Sequence, residues 1–160
     1  QIEVGDRPTA PLVLDNLQPS KRLWCVATGT GLAPFLSIIR DPKTFDRFEQ
    51  IIVTHTVRVT QELAYADLLS ALPITYYPTV TREPFQTPGR ITERIDSGAL
   101  WSDLGQGPWA VEDDRVMICG SPEFNKDLRS RLEGLGFTHG TNRAPGEFVQ
   151  ERAFVMQRAN

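Results

Sequence analysis

Between Leu23 and Ile39 the chain reads LWCVATGTGLAPFLSII, an apolar strand that runs into a glycine turn and then into a helix. That join has the geometry of a phosphate cradle. Gly29 and Gly31 let the backbone turn tightly and approach a ligand, while the following helix points its N–H groups and positive dipole end at any bound pyrophosphate. Thr28 and Thr30 add hydroxyls, and Pro34 suits the first helical turn, where no N–H partner is lost. Ala33, Phe35, Leu36, Ile38 and Ile39 supply an apolar face behind it. The same Gly-x-Gly join also serves as plain punctuation between strand and helix, so the turn alone leaves both readings open.

The pattern around it fixes the architecture. Strands are expected near Leu23–Thr28, Gln50–Thr56, Thr75–Thr81, Arg115–Gly120 and Glu147–Val155. Helical spacing falls between them, at Leu32–Arg40, Thr60–Leu72, Ile91–Leu104 and Ser121–Leu135. Parallel neighbours need crossover connections, so this alternation predicts an α/β, doubly wound, five-stranded and mostly parallel sheet with helices on both faces. Ligands of such sheets bind beyond the carboxyl ends of the strands, which directs attention to the loops after Thr28, Thr56, Thr81 and Gly120. At 160 residues, 40% of them hydrophobic, the chain holds one domain with a real core. Residues before about Leu12 fit no element. A net charge of -3 with scattered basic residues disfavours a nucleic-acid partner or an anionic membrane. Cys25 and Cys119 lack the spacing of a disulfide framework or a metal site, and no run is long and apolar enough for a bilayer or a signal peptide. A soluble protein of the reducing cytoplasm is expected.

The strand ends carry the chemistry. The second strand ends Thr54-His55-Thr56-Val57-Arg58, without the acid that would hydrogen-bond a ribose 2′-hydroxyl, which favours NADP over NAD. Arg82 follows the third strand, and a Pro- and Gly-containing loop leads from it to Arg90. Two guanidinium groups there can converge on one phosphate, although each of the three arginines also reads as an ordinary solvated side chain. The fourth strand ends in Cys119-Gly120-Ser121, which sets a soft thiol at the rim of the expected pocket or else a small hydrophobe inside the core. His55 is read as structural, and Cys25, in mid-strand, as core.

With ATGTGLAPF, THTVR, VTREPFQTPGR, MICGSPEF and FVQERAFV in this order, the chain from about Leu12 to Val155 closely resembles bacterial ferredoxin (flavodoxin)–NADP reductase. The resemblance implies the NADP-binding half of a two-domain flavoenzyme whose other half is a β-barrel holding FAD. It implies pyrophosphate contacts from Thr30 and Gly31, selection of the 2′-phosphate by Arg58, Arg82 and Arg90, a nicotinamide beside Cys119, and an active-site acid at Glu151. Ala153 and Phe154 match the family's carboxyl-terminal segment beside the flavin. Hydride transfer between NADP(H) and FAD is the implied chemistry, followed by electron exchange with ferredoxin or flavodoxin; a separate flavin-binding domain is a further implied partner. Residues 1–12 resemble a remnant of the barrel and its linker, with the nucleotide domain over 13–160. The barrel's own flavin motif is missing, so the alternative is a non-catalytic NADP(H)-binding module. A receiver-like domain would want acids where Ala27, Thr28 and Gly29 stand, and a P-loop would want Lys-Ser or Lys-Thr after the last glycine. Phe148, Phe154 and Trp24 are expected to form an exposed apolar patch where the barrel would dock.

Overall fold

In the computed structural model, which describes residues 12–153, the apolar runs become the centre of one sheet. β1 (Arg22–Thr28), β2 (Gln50–Val57) and β4 (Asp114–Gly120) are buried over almost their whole length, as strands covered on both faces must be. β3 (Thr75–Val80) and β5 (Phe148–Arg152) flank them in the order β3-β2-β1-β4-β5. Every pairing between these strands is parallel.

Alternation along β1 divides the core. Leu23, Cys25 and Ala27 face one layer with Phe35, Leu36 and Leu69; Trp24 and Val26 face the other with Ile91, Leu100, Leu128 and Leu132. The first layer contains α1 (Ala33–Ile38), α2 (Pro42–Arg47) and α3 (Ala66–Ala71). The second contains α4 (Ile91–Ser97), α5 (Ala99–Leu104) and α6 (Pro122–Gly134). Helices as short as α1 are unstable alone, so packing sustains it: complete burial of Phe35 contributes about 2–3 kcal/mol.

Several bounds differ from the sequence reading. Thr60–Leu72 is not one helix but a 3-10 turn at Thr60–Glu62 followed by α3, because Leu63 leaves helical geometry and Glu62 turns back to bond the Arg58 and Val59 N–H groups. Ile91–Leu104 breaks at Gly98, whose φ of 84° ends α4 in the left-handed conformation. α2 is additional; Asp41 caps it by accepting from Lys43 N–H, and Pro42 opens it. The expected apolar patch is overturned at two of its residues: Phe148 is fully buried and stacks on His139 at 5.1 Å, and Trp24 is 1% exposed within a triad with Trp101 and Trp109 at 5.6–5.7 Å. Phe154, the linker and barrel readings of residues 1–11, and the outer end of the fifth strand lie outside the described residues.

Candidate functional site

β1 lies between β2 and β4, and the chain leaves it toward one face and leaves β4 toward the other. A crevice therefore opens beyond the carboxyl ends of β1 and β4, where this sheet order changes direction. The turn Gly29–Leu32 occupies it as a 3-10 segment leading directly into α1. Gly29 has φ +51°, a conformation costly for any side chain. Gly31 is glycine for a different reason: a Cβ there would lie 2.1 Å from the Cys119 carbonyl oxygen. At Gly120 an added Cβ would meet the Phe124 ring at 2.4 Å and Thr28 Oγ1 at 2.6 Å. Two glycines thus let the ends of β1 and β4 close on each other, a packing demand that the sequence reading, which weighed a tight turn and ligand approach, did not foresee.

Above the turn is a cleft of about 1190 Å³, lined by Thr28, Gly29 and Thr30, by the end of β2 from His55 to Arg58, by Thr81 and Arg82, by Gly89 to Glu93, and by the start of α6. The glycine turn and all three arginines singled out from sequence share this one cleft. Arg58 is exposed and pairs with Glu62 at 3.0 Å, a contact that raises its pKa and lowers that of the carboxyl. Arg82 and Arg90 are exposed, and their guanidinium groups make no ion pair among the described residues. The Arg90 backbone N–H donates to Glu93, and that of Arg82 to the Arg58 carbonyl at 2.8 Å, which fixes one loop beside the next.

Sequence reasoning missed three features of this cleft. Glu62 accepts from the Arg58 and Val59 N–H groups and from the Arg58 guanidinium at once; its place within the expected helix hid that role. Tyr65, 46% exposed, lines the cleft from the loop before α3, and only an apolar ring in a non-helical stretch could have signalled it. His55, read from sequence as structural, also lines the cleft, and its Nε2 sits 2.8 Å from the Gly29 carbonyl. Burial pulls its pKa below the ordinary imidazole value, outweighing that hydrogen bond.

Cys119 and Glu151 are brought together, but beside the cleft rather than in its lining. They are register partners at the ends of β4 and β5. Cys119 is fully buried against the turn, and burial, with Glu151 adding to it, pushes its thiol up to about 11. Burial also raises the Glu151 carboxyl. Asn125 of α6 donates to the Glu151 carbonyl at 2.9 Å, and the Ala153 N–H donates to Gly120 O at 2.9 Å, so α6, β4 and β5 are tied where they meet. Ser121 caps α6 by accepting from Phe124 N–H. Among the described residues no group of His, Cys, Asp and Glu is arranged to hold a metal ion, and no helix is long and apolar enough to cross a membrane.

Known proteins are similar to this chain in sequence and fold. The profile of a family described as oxidoreductase NAD-binding domain matches residues 25–130. Ferredoxin–NADP reductase A of Sorangium cellulosum is 44% identical over 98% of this chain, and the flavodoxin/ferredoxin–NADP reductase of Rhodobacter capsulatus is 44% identical over 97%. The chain spans 61% and 62% of those two proteins. The crystal structure of a ferredoxin NADP+ reductase from Neisseria gonorrhoeae with bound FAD and NADP superposes with a TM-score of 0.83 at 33% identity, covering 91% of this chain and 61% of that one.

Proposed function

Since this chain belongs to the oxidoreductase NAD-binding domain family, we propose that it docks NADP(H) as the nucleotide-binding part of a ferredoxin (flavodoxin)–NADP reductase. One observation carries the choice of nucleotide. Arg82 and Arg90, with guanidinium groups unpaired among the described residues, share the cleft with the glycine turn. A 2′-phosphate adds a dianion that they can receive by charge-assisted hydrogen bonds, and Arg58 at the end of β2 replaces the acid that would favour a free 2′-hydroxyl.

The residues divide the work by position. Thr28, Gly29, Thr30 and Gly31, at a turn entering α1, receive the pyrophosphate on backbone N–H groups and hydroxyls, and Gly120 keeps the neighbouring strand end close. Cys119 and Glu151 border the nicotinamide end. Burial holds the Cys119 thiol well above the ordinary range, so it backs that end as a neutral side chain of the core and is not a nucleophile. Glu151, its pKa raised by burial, retains a proton more readily than an exposed glutamate does. In the whole enzyme FAD would supply the hydride acceptor for NADPH and the single-electron chemistry toward ferredoxin or flavodoxin. Ala153 and Phe154 are the residues of this chain assigned to its edge.

Calorimetric titration of the chain with NADP+ and with NAD+ tests the nucleotide reading. Replacing Arg82 and Arg90 together by alanine is expected to weaken NADP+ about tenfold or more and to leave NAD+ within about twofold. Equal losses for both nucleotides, or none, would sink it. The visible spectrum after reconstitution with FAD and desalting then separates catalysis by this chain, which requires a retained flavin band, from nucleotide docking alone.

A further inference from the structure

We propose that His55 is a positioning residue: by holding the Gly29 carbonyl it keeps that oxygen from turning toward the phosphates of a bound dinucleotide. The inference rests on the nucleotide reading above and assigns a task to a residue which that reading leaves idle.

His55 is 3% exposed near the end of β2, where its register partner on β1 is Ala27, two residues before Gly29. Its Nε2 lies 2.8 Å from Gly29 O. A carbonyl oxygen only accepts, so Nε2 carries the hydrogen. Nδ1 is buried and has no hydrogen-bond partner, so a hydrogen placed there would be a buried donor without an acceptor. Geometry thus selects the neutral imidazole with its hydrogen on Nε2.

The consequence for the turn follows from the peptide unit itself. The Gly29 C=O and the Thr30 N–H belong to one planar trans peptide and point in opposite directions. Drawing the carbonyl onto His55 turns the Thr30 N–H away from His55. This peptide needs such a hold. It follows a glycine at φ +51°, the residue type that tolerates either orientation most readily, and the 3-10 segment it opens has no side-chain cap. Both Gly29 and Thr30 line the cleft, so the orientation of their shared peptide decides whether a phosphate there meets the carbonyl oxygen that would repel it.

Three substitutions and one control ligand test this. His55→Leu keeps much of the volume and removes the donor; His55→Gln offers an amide nitrogen near the position of Nε2; His55→Asn is too short to reach. NADP+ is titrated beside 2′-AMP, which carries the 2′-phosphate but no pyrophosphate. The expected result is about a tenfold loss of NADP+ affinity in His55→Leu and His55→Asn, recovery to within about threefold in His55→Gln, and unchanged 2′-AMP binding throughout. NADP+ affinity within about twofold of the unaltered chain in His55→Leu, or equal weakening of 2′-AMP, would overturn the proposal. Should His55→Leu fail to fold, the Gln and Asn variants decide by the same criterion. Long-range proton–nitrogen NMR of the unaltered chain at neutral pH gives an independent result: the tautomer with hydrogen on Nε2 is expected, and hydrogen on Nδ1 would overturn the clamp. A chain that binds neither nucleotide while showing the Nε2–H tautomer would instead refute the nucleotide reading.

Discussion

Replacing Gly31 by alanine isolates the packing demand at the point where the sheet changes direction. The new Cβ would lie 2.1 Å from the Cys119 carbonyl oxygen and 2.8 Å from its carbonyl carbon, whereas ordinary contact begins near 3.4 Å. Both atoms are backbone of a central strand, so no side chain can swing aside; the turn must lift from β4 by about an ångström. Overpacking a close-fitted site costs about 1–3 kcal/mol, and a clash against backbone on both sides belongs at the upper end. At roughly 2–4 °C per kcal/mol for a domain this size, Gly31→Ala should melt about 6–12 °C below the unaltered chain in circular dichroism scans. Gly29→Ala is the internal control. It has nothing within 4 Å of its Cβ and suffers only from φ +51°, a cost of about 1–2 kcal/mol. The same lift displaces the N–H groups of the turn, so NADP+ affinity should fall more in Gly31→Ala than its stability loss alone would bring. A melting point within about 2 °C of the unaltered chain, or a larger loss in Gly29→Ala, would refute the reasoning.

Other expectations concern buried groups. Asp114, 1% exposed, accepts from Arg22 Nε and Trp24 Nε1 at 2.8 Å and from Ala110 N–H at 2.9 Å; Asp114→Ala orphans all three donors and should cost about 3 kcal/mol in urea unfolding followed by tryptophan fluorescence, with a loss under about 1 kcal/mol contradicting that account. Because burial holds both thiols well above the ordinary range, iodoacetamide at pH about 8 should label the folded chain slowly and the urea-unfolded chain at both cysteines; prompt labelling of Cys119 in the folded chain would show that its thiol is open. Burial lowers the pKa of His55 and His139, so the unfolded chain takes up protons there before the folded one does: stability from these groups is complete above their ordinary value of 6.5 and declines as pH falls through it. A steeper acid loss in the unaltered chain than in His55→Gln, measured by urea midpoints from pH about 7.5 to 5.5, would bear this out, and parallel curves would not.

Legibility in the sequence followed burial. β1, β2 and β4 are continuous apolar runs, and their positions were readable to within a residue because a strand covered on both faces leaves no choice of residue type. The stretch from Thr60 to Leu72 misled because Leu68, Leu69 and Leu72 keep helical spacing, while the decisive event, Glu62 turning back on the preceding N–H groups, depends on the path of the loop. Gly98 inside an expected helix was a legible warning of its break. Asp114 was not legible, since an acid normally signals surface and its burial rests on donors from Arg22, Trp24 and Ala110 that meet only once the sheet has formed. In the cleft, the loops were foreseeable from the rule that ligands meet the carboxyl ends of parallel strands. The pairing that separates Arg58 from the unengaged Arg82 and Arg90 was not, because it is set by side-chain reach within one loop.

Cys119 shows how the two readings join. From sequence it stood either at the rim of the pocket or as a small hydrophobe inside the core; in the fold its side chain belongs to the core layer, and its carbonyl is what Gly31 presses upon. The turn assigned to the pyrophosphate and the strand end assigned to the nicotinamide therefore share a backbone contact that admits no Cβ. His55 holds the Gly29 side of the same turn from β2. With β2 fixing one side and β4 the other, the geometry of the turn is set by the sheet, so the phosphate binding proposed for it would not first have to order the segment. A displacement of Cys119 toward the turn would meet Gly31 directly, since their backbones are already too close to admit a Cβ. The spacing between the turn and Glu151, the register partner of Cys119, is accordingly set by the pairing of β1, β4 and β5, and a spacing fixed by strand pairing is what hydride chemistry would ask of the nucleotide site proposed above.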